Sequence, residues 1–515
     1  MFILSSNQFS LADKATIKTK KISSLDLMEH AATLCFQWIH KRLEGQPIKI
    51  HLFCGVGNNG GDGLVIARLL KIHGYQVFCY VVNFSDKRTD EFLTNYANLK
   101  EVGIWPSVIN NEDPFPLIDK DDLIIDAIFG NGLSRKPAGF TKKLIQYLNT
   151  TNAFILSIDI PSGLFGDKSV NDKNSVIKSN HILTFQGPKL AFLLAENKEY
   201  VQTWEVLDIG LDADFINSLN PTIHFIQKED ILSMYKPRNK WDHKGTFGHS
   251  LIIGGSFGKI GAVVLASKAA LKIGSGLVSA YIPKCGYEIM QISLPEAMVE
   301  VDDDQEVHYF NFKTKPNVIG IGPGLGTSEK TSIGFANFLL DNKTPLVIDA
   351  DALNIMAQHK TLFDSLPEKS VITPHPKELE RLIGAWENDY DKLEKTKELS
   401  IAKNCIIVIK GAHTVIIDGS NFYFNSSGNP ALATAGSGDV LTGLITGCIA
   451  QGYSALNAAI LGVYLHGKTA DIGVTHLGYE SFIASSILDF LSDAILDLFN
   501  TEDPPKTNTE TESMK

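Results

Sequence analysis

Short apolar runs rich in β-branched residues alternate with stretches of helical spacing, and this alternation occurs twice along the chain. The runs of the first series are Ile48–Cys54, Gln76–Val82, Leu123–Ala127 and Phe154–Ile158. Those of the second are Ser250–Ile253, Leu277–Ile282, Val318–Ile321, Leu346–Ile348, Val371–Thr373 and Ile406–Ile409. Apolar runs bounded by turn residues are typical of strands covered on both faces, and strand–helix alternation predicts a parallel sheet. We therefore predict two α/β domains.

The alternation is lost over residues 211–245, which are polar and turn-prone. Since 515 residues exceed what one core usually holds, this stretch is the predicted boundary. We predict a first domain at 1–215, a linker at 216–240, a second domain at 241–499 and a disordered tail at 500–515, whose composition is too polar to pack. Predicted helices include Gly63–His73, Gly438–Gln451, Ala455–Ile472 and Ser481–Phe499.

The chain has 47 lysines and arginines against 58 aspartates and glutamates, a net charge of −11. This balance argues against binding of duplex nucleic acid, which requires clustered basic residues. No stretch approaches the roughly 18 uninterrupted apolar residues of a membrane-spanning helix. The six cysteines are scattered without a CxxC pair, which favours free thiols in a reducing compartment over a zinc site or disulfides. We expect a cytoplasmic protein without nucleic-acid or membrane partners, and leave a homo-oligomer open.

A glycine-rich segment, Gly55–Gly63, follows the first predicted strand. Its first six residues satisfy GxGxxG, a pattern of dinucleotide-binding turns, but Asp86 lies further on than the roughly 20 residues expected of the ribose-binding acid. Asn58, Asn59 and Asp62 are the stronger signal, because a tight turn requires glycines but has no use for these polar side chains. We interpret the segment as a ligand-binding loop.

Two further strand ends carry polar residues, at 126–136 and at Asp159–Gly163. The carboxyl ends of strands in a doubly wound sheet converge on one crevice, where ligands bind. Asn59, Asp126 and Ser162 would offer only oxygen ligands, which suit a hard cation rather than zinc. Each aspartate taken singly could instead cap the next helix, and the combination of three strand ends is what favours a site.

Over about residues 1–215 the chain resembles the YjeF N-terminal domain, a family of NAD(P)H-hydrate epimerases. The resemblance rests on Ser24–Glu29, the Gly-Asn-Asn-Gly-Gly-Asp loop, Asp126 and Asp159–Gly163. It implies a potassium ion at Asn59, Asp126 and Ser162, and Asp159 as the acid–base residue. It also implies binding of the hydrate by Asn58, Asn59, Gly60, Gly61, Asp62, Gly130, Asn131, Gly132, Leu133, Ser134, Arg135, Lys136 and Asp159.

In the second half of the chain, Gly436-Ser437-Gly438-Asp439 precedes an apolar predicted helix. Glycines at a helix N-terminus expose backbone N–H groups, and the helix dipole favours the anionic charge of a transferring phosphoryl group. Asp439 can act there as base toward a substrate hydroxyl, although a carboxylate in a first turn can also serve only as a cap. His375, fixed between two prolines at a strand end, is a candidate ligand contact.

Over about residues 225–499 the chain resembles the ribokinase-like superfamily, and within it the ADP- or ATP-dependent NAD(P)H-hydrate dehydratases. The resemblance rests on His243–Gly245, Asp349–Asn354, Thr373–Pro376, Lys410–Thr414 and Gly436–Asp439. It implies Asp439 as the base, and substrate binding by Ala262, Gly324, Gly326, His375 and Asp439. It also implies ADP or ATP as co-substrate with a magnesium ion, and nucleotide binding by Lys410, Gly411, Ala412, His413, Thr414, Gly436, Ser437 and Gly438.

Together the resemblances imply a Rossmann-like three-layer αβα domain fused to a ribokinase-like αβα domain in a bifunctional repair enzyme. The first domain would interconvert the R and S hydrates of NADH and NADPH, known as NADHX and NADPHX. The second would dehydrate the S hydrate at the expense of ADP or ATP. The residues themselves leave open a small-molecule kinase of the same superfamily fused to a nucleotide-binding module. A dehydrogenase is disfavoured, because nothing marks a hydride-acceptor site.

Overall fold

A computed structural model describes residues 1–111, 113–303 and 305–500 of the chain. Apart from Asn500, the tail predicted at 500–515 lies outside the described residues.

The first part of the chain forms a seven-stranded parallel sheet in the order β3-β2-β1-β4-β5-β6-β7. The strands are β1 (Lys49–Cys54), β2 (Gln76–Val82), β3 (Ser107–Ile109), β4 (Leu123–Ala127), β5 (Phe154–Ile158), β6 (Ser179–Phe185) and β7 (Val201–Leu207). The helices are α1 (Ser6–Lys20), α2 (Ser24–Leu43), α3 (Asn58–Ile72), α4 (Asp90–Glu101), α5 (Gly139–Leu148) and α6 (Ala213–Ser218).

Successive residues of these strands face two different helix layers. On β1, Leu52 belongs to a buried cluster with residues of α2, α3 and α4, whereas Phe53 belongs to a cluster with residues of α5. On β4, Ile125 belongs to the first of these clusters and Ile124 to the second. Both faces of the sheet are therefore buried, which explains why the strands are apolar runs without polar alternation.

The second part forms a ten-stranded sheet in the order β11-β10-β9-β12-β13-β14-β15-β16-β17-β8. The strands are β8 (Ile223–Ile226), β9 (His249–Ile253), β10 (Leu277–Ile282), β11 (Met298–Val301), β12 (Val318–Ile321), β13 (Leu346–Ile348), β14 (Val371–Ile372), β15 (Ile406–Ile409), β16 (Val415–Asp418) and β17 (Asn421–Asn425). The order is parallel from β11 to β15, whereas β16 pairs antiparallel with both β15 and β17.

The helices of this second part follow most of its strands. They are α7 (Lys228–Met234), α8 (Ile260–Lys272), α9 (Tyr287–Ser293), α10 (Glu329–Asp341), α11 (Ala350–Gln358), α12 (Pro376–Ile383), α13 (Asp389–Lys403), α14 (Ser437–Ala450), α15 (Ala455–Leu477), α16 (Ala484–Asp489) and α17 (Leu491–Asp497). The central helix α14 packs against α8 and α15 and against β9, β12 and β13. Its apolar composition follows from this burial on several sides.

Contacts divide the chain into two compact units, one of Met1–Phe225 with Glu387–Lys392 and one of Ile226–Trp386 with the chain from Leu393 onward. The predicted α/β class with two αβα domains is confirmed. The domain bounds at 1–215, 216–240 and 241–499 stay predictions, and the predicted linker contains β8 and α7. No helix of the described chain is long and apolar enough to cross a membrane.

All the strands predicted from apolar runs are present, but two predicted helices were placed wrongly. Helix α3 begins at Asn58 instead of Gly63, so the predicted ligand-binding loop is mostly the first turns of a helix. Gly60 fits there because of packing, since a Cβ at this position would lie 1.8 Å from the Gly55 carbonyl oxygen. The helix predicted at Ser481–Phe499 is two helices, α16 and α17, which meet at Phe490.

Each sheet has a switch point, where the chain leaves adjacent parallel strands in opposite directions. In the first sheet β1 lies between β2 and β4, and in the second β9 lies between β10 and β12. The segments after β1 and β4, and those after β9 and β12, therefore diverge and leave a crevice beyond the strand ends. The predicted site residues follow these strands and their neighbours.

Candidate active sites

The first unit has a cavity of about 570 Å³ beyond the carboxyl ends of β1, β4 and β5. Three aspartates and one lysine line it: Asp13, Asp62, Asp159 and Lys189. Of the residues predicted to bind the hydrate, the lining includes Asn58, Asn59, Asp62, Gly130, Asn131, Gly132, Leu133, Ser134 and Asp159. The predicted residues therefore converge on one concave space of a size suited to a small ligand.

Asp159 follows β5 and adopts a left-handed backbone conformation, with φ of 69°. Its Oδ2 accepts a hydrogen bond from the Asn131 backbone N–H at 3.0 Å. Its Oδ1 is ion-paired with Lys189 Nζ at 2.9 Å. Both carboxylate oxygens are therefore held in place within the cavity.

Lys189 lines the cavity as the partner of Asp159 and was not predicted from the sequence. Its side chain is 2% exposed, and Nζ donates hydrogen bonds to Thr184 Oγ1 at 2.9 Å and to the backbone oxygens of Phe185 and Gly187. The ammonium also lies 4.1 Å from the centre of the Phe9 ring. A fully buried lysine is rare unless it is paired, and the only sequence signal is its place in a Gly-Pro-Lys turn after β6.

Asp13 and Asp62 line the same cavity, and the described residues offer neither of them a hydrogen bond or an ion pair. Burial raises the pKa of Asp13 to about 6, and Asp159 raises it further whereas Lys189 lowers it. Burial raises the pKa of Asp62 well above its usual range, with further contributions from Asp159 and Asp13. Three carboxyl groups with a single lysine cannot all be charged cheaply, so protons are held in this cavity near neutral pH.

The residues predicted to bind potassium differ in how they are held. Asp126 is fully buried and accepts hydrogen bonds from the Ser162 hydroxyl at 2.5 Å, the Ser162 backbone N–H at 2.9 Å and the Ser157 hydroxyl at 2.9 Å. The described residues give it no basic partner, and burial raises its pKa. The Asn59 side-chain amide nitrogen is buried without a hydrogen-bond partner in the described chain.

Four of the predicted hydrate-binding residues lie outside the cavity lining: Gly60, Gly61, Arg135 and Lys136. The two glycines allow close packing of α3, because a Cβ on Gly61 would lie 2.7 Å from the Met28 Sδ. The structure thus gives these glycines a part in shaping the site.

The second unit has a cavity of about 970 Å³, bordered by the turn after β15 and the N-terminus of α14. Predicted nucleotide-binding residues in its lining are Lys410, Gly411, Ala412, His413, Thr414, Ser437 and Gly438, and His375 lines it as well. Gly436 lies outside the lining as the N-cap of α14, with φ of 87°. The volume is sufficient for a nucleotide.

Asp439 lies in the first turn of α14 but does not cap the helix, whose N-terminus has no side-chain cap. Burial raises the pKa of Asp439 to about 6; Asp349 and Asp351 raise it as well, whereas Lys410 lowers it. A carboxyl group with this pKa can accept a proton near neutral pH. The interpretation of Asp439 as a cap only is therefore disfavoured.

Lys410 and Asp349 form an ion pair beside this turn, with 2.8 Å between Nζ and Oδ1. The other Asp349 oxygen accepts a hydrogen bond from the Thr442 hydroxyl at 3.0 Å, which joins the pair to α14. A Cβ on Gly438 would lie 3.3 Å from Lys410 Nζ. The Lys410 ammonium is thus placed next to the backbone N–H groups at which an anion would bind. This position fits its predicted part in nucleotide binding, and the ion pair with Asp349 was not predicted.

His466 on α15 contacts the same turn and was missed by the sequence analysis. Its Nε2 lies 3.0 Å from the Ser437 carbonyl oxygen and 3.1 Å from the Ser437 hydroxyl. Burial lowers the pKa of His466 to about 4, so the ring is neutral. A carbonyl oxygen only accepts, so Nε2 must carry the hydrogen and the Ser437 hydroxyl keeps its own hydrogen to donate elsewhere.

Of the residues predicted to bind the hydrate in this unit, Ala262 and Gly324 lie close together, and Gly326 and His375 are held by hydrogen bonds. A Cβ on Gly324 would lie 3.4 Å from the Ala262 Cβ, and the Gly326 backbone N–H donates to Asp351 at 2.9 Å. His375 Nδ1 accepts hydrogen bonds from the backbone N–H groups of residues 377 and 378 and so caps α12. Ala262, Gly324 and Gly326 lie outside the lining of the larger cavity.

Two family models match the chain. One, described as NAD(P)H-hydrate dehydratase, matches residues 250–491, and the other, described as YjeF-related protein N-terminus, matches residues 24–191. The chain is 33% identical over 510 residues to the bifunctional NAD(P)H-hydrate repair enzyme Nnr of Moorella thermoacetica, covering 95% of this chain and 96% of the relative. It is 33% identical over 477 residues to the Coxiella burnetii enzyme of the same name, covering 91% and 94%.

Among solved structures, the ADP/ATP-dependent NAD(P)H-hydrate dehydratase of Bacillus subtilis, co-crystallised with ATP and Mg²⁺, is 27% identical to this chain with a TM-score of 0.46. The match covers 53% of this chain and 98% of that chain.

Proposed function

Because this chain belongs to the family of bifunctional NAD(P)H-hydrate repair enzymes, we propose that its two cavities carry the two successive reactions of that repair. The first cavity interconverts the R and S hydrates of NADH and NADPH. The second dehydrates the S hydrate with ADP or ATP and restores the dihydronicotinamide. The observation that carries the proposal is the placement of two aspartates: Asp159 lines the first cavity, and Asp439 lies in the first turn of α14, whose N-terminus borders the second cavity.

In the epimerisation, the hydroxyl group leaves the ring carbon next to the ring nitrogen and water returns to the other face. Asp159 is proposed to exchange a proton with this oxygen, because it lines the cavity and both its oxygens are oriented by protein donors. Lys189 keeps the carboxylate in position. Asp62, whose raised pKa favours a protonated carboxyl group, is proposed to donate a hydrogen bond to the bound hydrate.

The donor set at Asn59, Asp126 and Ser162 fits a potassium ion. Asp126 is a buried carboxylate without a basic partner in the described chain, and a cation would offset its charge. A flip of the Asn59 amide would bring an oxygen to the place of its unpartnered nitrogen. When bound, the ion would supply positive charge that attracts the phosphate-bearing substrate. Ser162 and Asp126 would hold it next to the Gly130 segment.

In the dehydration, Asp439 is proposed to remove the proton from the ring hydroxyl as the oxygen attacks the terminal phosphoryl group of the nucleotide. Phosphate then leaves with the C–O bond electrons, and loss of a ring proton restores the double bond. The backbone N–H groups of Gly436 and Gly438 and the Ser437 hydroxyl are the proposed donors for the migrating phosphoryl group. Lys410 adds a positive charge at the same place.

A magnesium ion is proposed to enter with the nucleotide. The described residues contain no group of three or more histidine, cysteine or acidic side chains able to hold a metal ion. Magnesium commonly retains waters and binds through substrate phosphates with one or two carboxylates. We therefore expect the phosphate oxygens to be its main ligands.

A cytoplasmic location is proposed from the thiols. None of the six cysteines, all of which lie in the described chain, forms a disulfide, and Cys54 and Cys79 do not although their Sγ atoms are 4.0 Å apart. Unbonded neighbouring thiols suit a reducing compartment. A homo-oligomer stays a prediction.

The test supplies mixed R and S hydrates with ADP or ATP and follows the recovery of dihydronicotinamide absorbance. We expect complete recovery, because the first activity converts the R form into the S form that the second dehydrates. A stall with the R hydrate left behind would contradict the epimerase assignment. If no absorbance were recovered with ADP or with ATP, and a vitamin alcohol were phosphorylated, the kinase would be favoured.

A further inference from the structure

Epimerisation needs proton transfer on two faces of the ring, because the hydroxyl leaves from one face and water adds to the other. Asp159 is held at one place in the cavity by Asn131 and Lys189. If the proposed epimerase function holds, a second proton-transfer group in the cavity would serve the other face of the ring directly.

Asp13 is placed for this role by α1. It lies one helical turn after Phe9, so both side chains are on the same face of the helix, and both line the cavity. The Lys189 ammonium is 4.1 Å from the centre of the Phe9 ring and 2.9 Å from the Asp159 carboxylate. Helix α1 and Asp159 therefore both contact the same lysine at the cavity.

The Asp13 carboxyl group has no structural task among the described residues. It takes part in no hydrogen bond, ion pair or helix cap there. Asp212 offers a contrast, because it caps the N-terminus of α6, a helix that packs against α1, and accepts a hydrogen bond from the Phe215 backbone N–H at 3.0 Å. An unpartnered, partly buried carboxyl group costs free energy and is unusual unless a ligand uses it. Helix α1 also precedes residues 24–191, the segment matched by the family model.

The charged groups around Asp13 keep its proton within reach of neutral pH. Asp159 and Asp62 lie in the same cavity, and Lys189 is the basic group among them. The pKa of Asp13 is raised to about 6, mainly by burial and also by the charge of Asp159, whereas the charge of Lys189 lowers it. An unshifted aspartic acid would be protonated only to about one part in a thousand at pH 7, whereas this one retains roughly a tenth of its acid form.

We propose that Asp13 is the second proton-transfer residue of the epimerase and acts on the ring hydroxyl from the face opposite Asp159. Asp13 gives its proton to the hydroxyl oxygen, the C–O bond breaks and water leaves with both electrons, while the ring-nitrogen lone pair forms a C=N bond. Water then adds to the other face, its oxygen forming the new C–O bond as the C=N electrons return to nitrogen, and Asp159 takes the released proton. The reverse direction uses the same proton on Asp159, so the pair carries one proton in both directions.

The test compares Asp13→Asn, Asp13→Glu and wild type in the full chain, with epimerisation measured from R to S hydrate over pH 5 to 9. We expect kcat of Asp13→Asn to fall about 100-fold, with KM little changed, because an amide neither gives nor takes this proton. We expect kcat/KM of wild type to fall as pH rises through about 6, and this limb to be absent from Asp13→Asn and present in Asp13→Glu. Lys14→Gln, an exposed change at the next residue of α1, is the matched control and should match wild type.

Dehydration of pure S hydrate by the same polypeptide should be unchanged in every variant, and thermal unfolding of each variant checks that the first unit remains folded. An Asp13→Asn enzyme with the wild-type rate, or with a raised KM at an unchanged kcat, would overturn the inference. An Asp13→Asn enzyme that is slow but keeps the limb near pH 6 would overturn it as well, because the group that titrates would be another one. Wild type unable to interconvert the hydrates would instead overturn the proposed function itself.

Discussion

The two units build their sites from the same elements and differ in which carboxyl group is open to a ligand. In each unit a lysine is ion-paired with an aspartate, Lys189 with Asp159 at 2.9 Å and Lys410 with Asp349 at 2.8 Å. In each unit a further aspartate lies nearby without a hydrogen bond to the described protein, and burial raises its pKa to about 6. In the first unit this is Asp13, and in the second it is Asp439.

The difference lies in the paired aspartate. Asp159 lines its cavity with 14% of the side chain exposed, whereas the Asp349 side chain is 2% exposed and is also bound by Thr442. The first pair can therefore touch a ligand through its carboxylate, whereas the second presents only its lysine. A lysine–aspartate pair is thus not a functional signature in itself, because burial decides which of its two charges is available.

The largest expected effect comes from a mutation that should abolish one activity and leave the other unchanged. Asp439→Asn removes the base of the dehydration, and we expect this rate to fall about 1000-fold with epimerisation unchanged. Recovery of absorbance from pure S hydrate measures the first activity, and conversion of R to S hydrate measures the second. If Asp439→Asn retained substantial dehydration, the base would have to be another residue and the comparison of Asp13 with Asp439 would fail.

Loss of the first lysine should be nearly as selective. Lys189→Met leaves Asp159 without its ion-pair partner, and we expect epimerisation to fall about 100-fold because the carboxylate is no longer held in position. Dehydration should be unaffected, because its site lies in the other unit, and thermal unfolding of the variant checks that the first unit remains folded. Equal loss of both activities would contradict a selective role for Lys189.

The two activities should respond to pH in opposite directions. Dehydration needs the Asp439 carboxylate, so its kcat/KM should rise about tenfold per pH unit up to a pKa of about 6 and then level off. Epimerisation needs the protonated form of Asp13, so its kcat/KM should fall above the pKa of about 6. Parallel profiles for the two activities in one preparation would contradict the different roles of these carboxyl groups.

The smallest expected effect concerns stability. The pKa of Asp439 is raised in the folded state, so the charged carboxylate costs folding free energy above about pH 6 and nothing below the unfolded value of 3.8. We expect Asp439→Asn to stabilise the protein by about 1 kcal/mol at pH 8, after allowance for solvent screening, and to leave it unchanged at pH 4. Urea unfolding at the two pH values measures this, and a gain that is equal at both would contradict the raised pKa.

The apolar strands could be predicted because both of their faces are buried, so their composition alone marks them. Strands β6 and β7 were missed because Ser179–His181 and Glu205 interrupt the apolar pattern. The β16–β17 hairpin was also missed, although its Gly-Ser turn at residues 419–420 is a recognisable signal. The start of α3 was misplaced because the glycines that pack it closely also weaken the helical pattern.

The sites could be predicted only where their residues follow strands in motifs. Asp159 and Asp439 stand in such segments, and the sequence analysis proposed both. Asp13 and Lys189 reach the first cavity from α1 and from the turn after β6, and His466 reaches the second from the middle of α15. Their roles depend on packing between segments far apart in sequence, which a single sequence does not reveal.

The left-handed backbone of Asp159 has a consequence for how this enzyme can change. A residue with a Cβ at φ of 69° stores about 1 kcal/mol of strain, which glycine alone would relieve. Mutation to glycine at this position would relieve that strain but leave the buried Lys189 ammonium without its carboxylate, which costs about 3 kcal/mol. A copy of the gene that no longer needs epimerisation would therefore still be held to an aspartate here, because the fold depends on the ion pair as well.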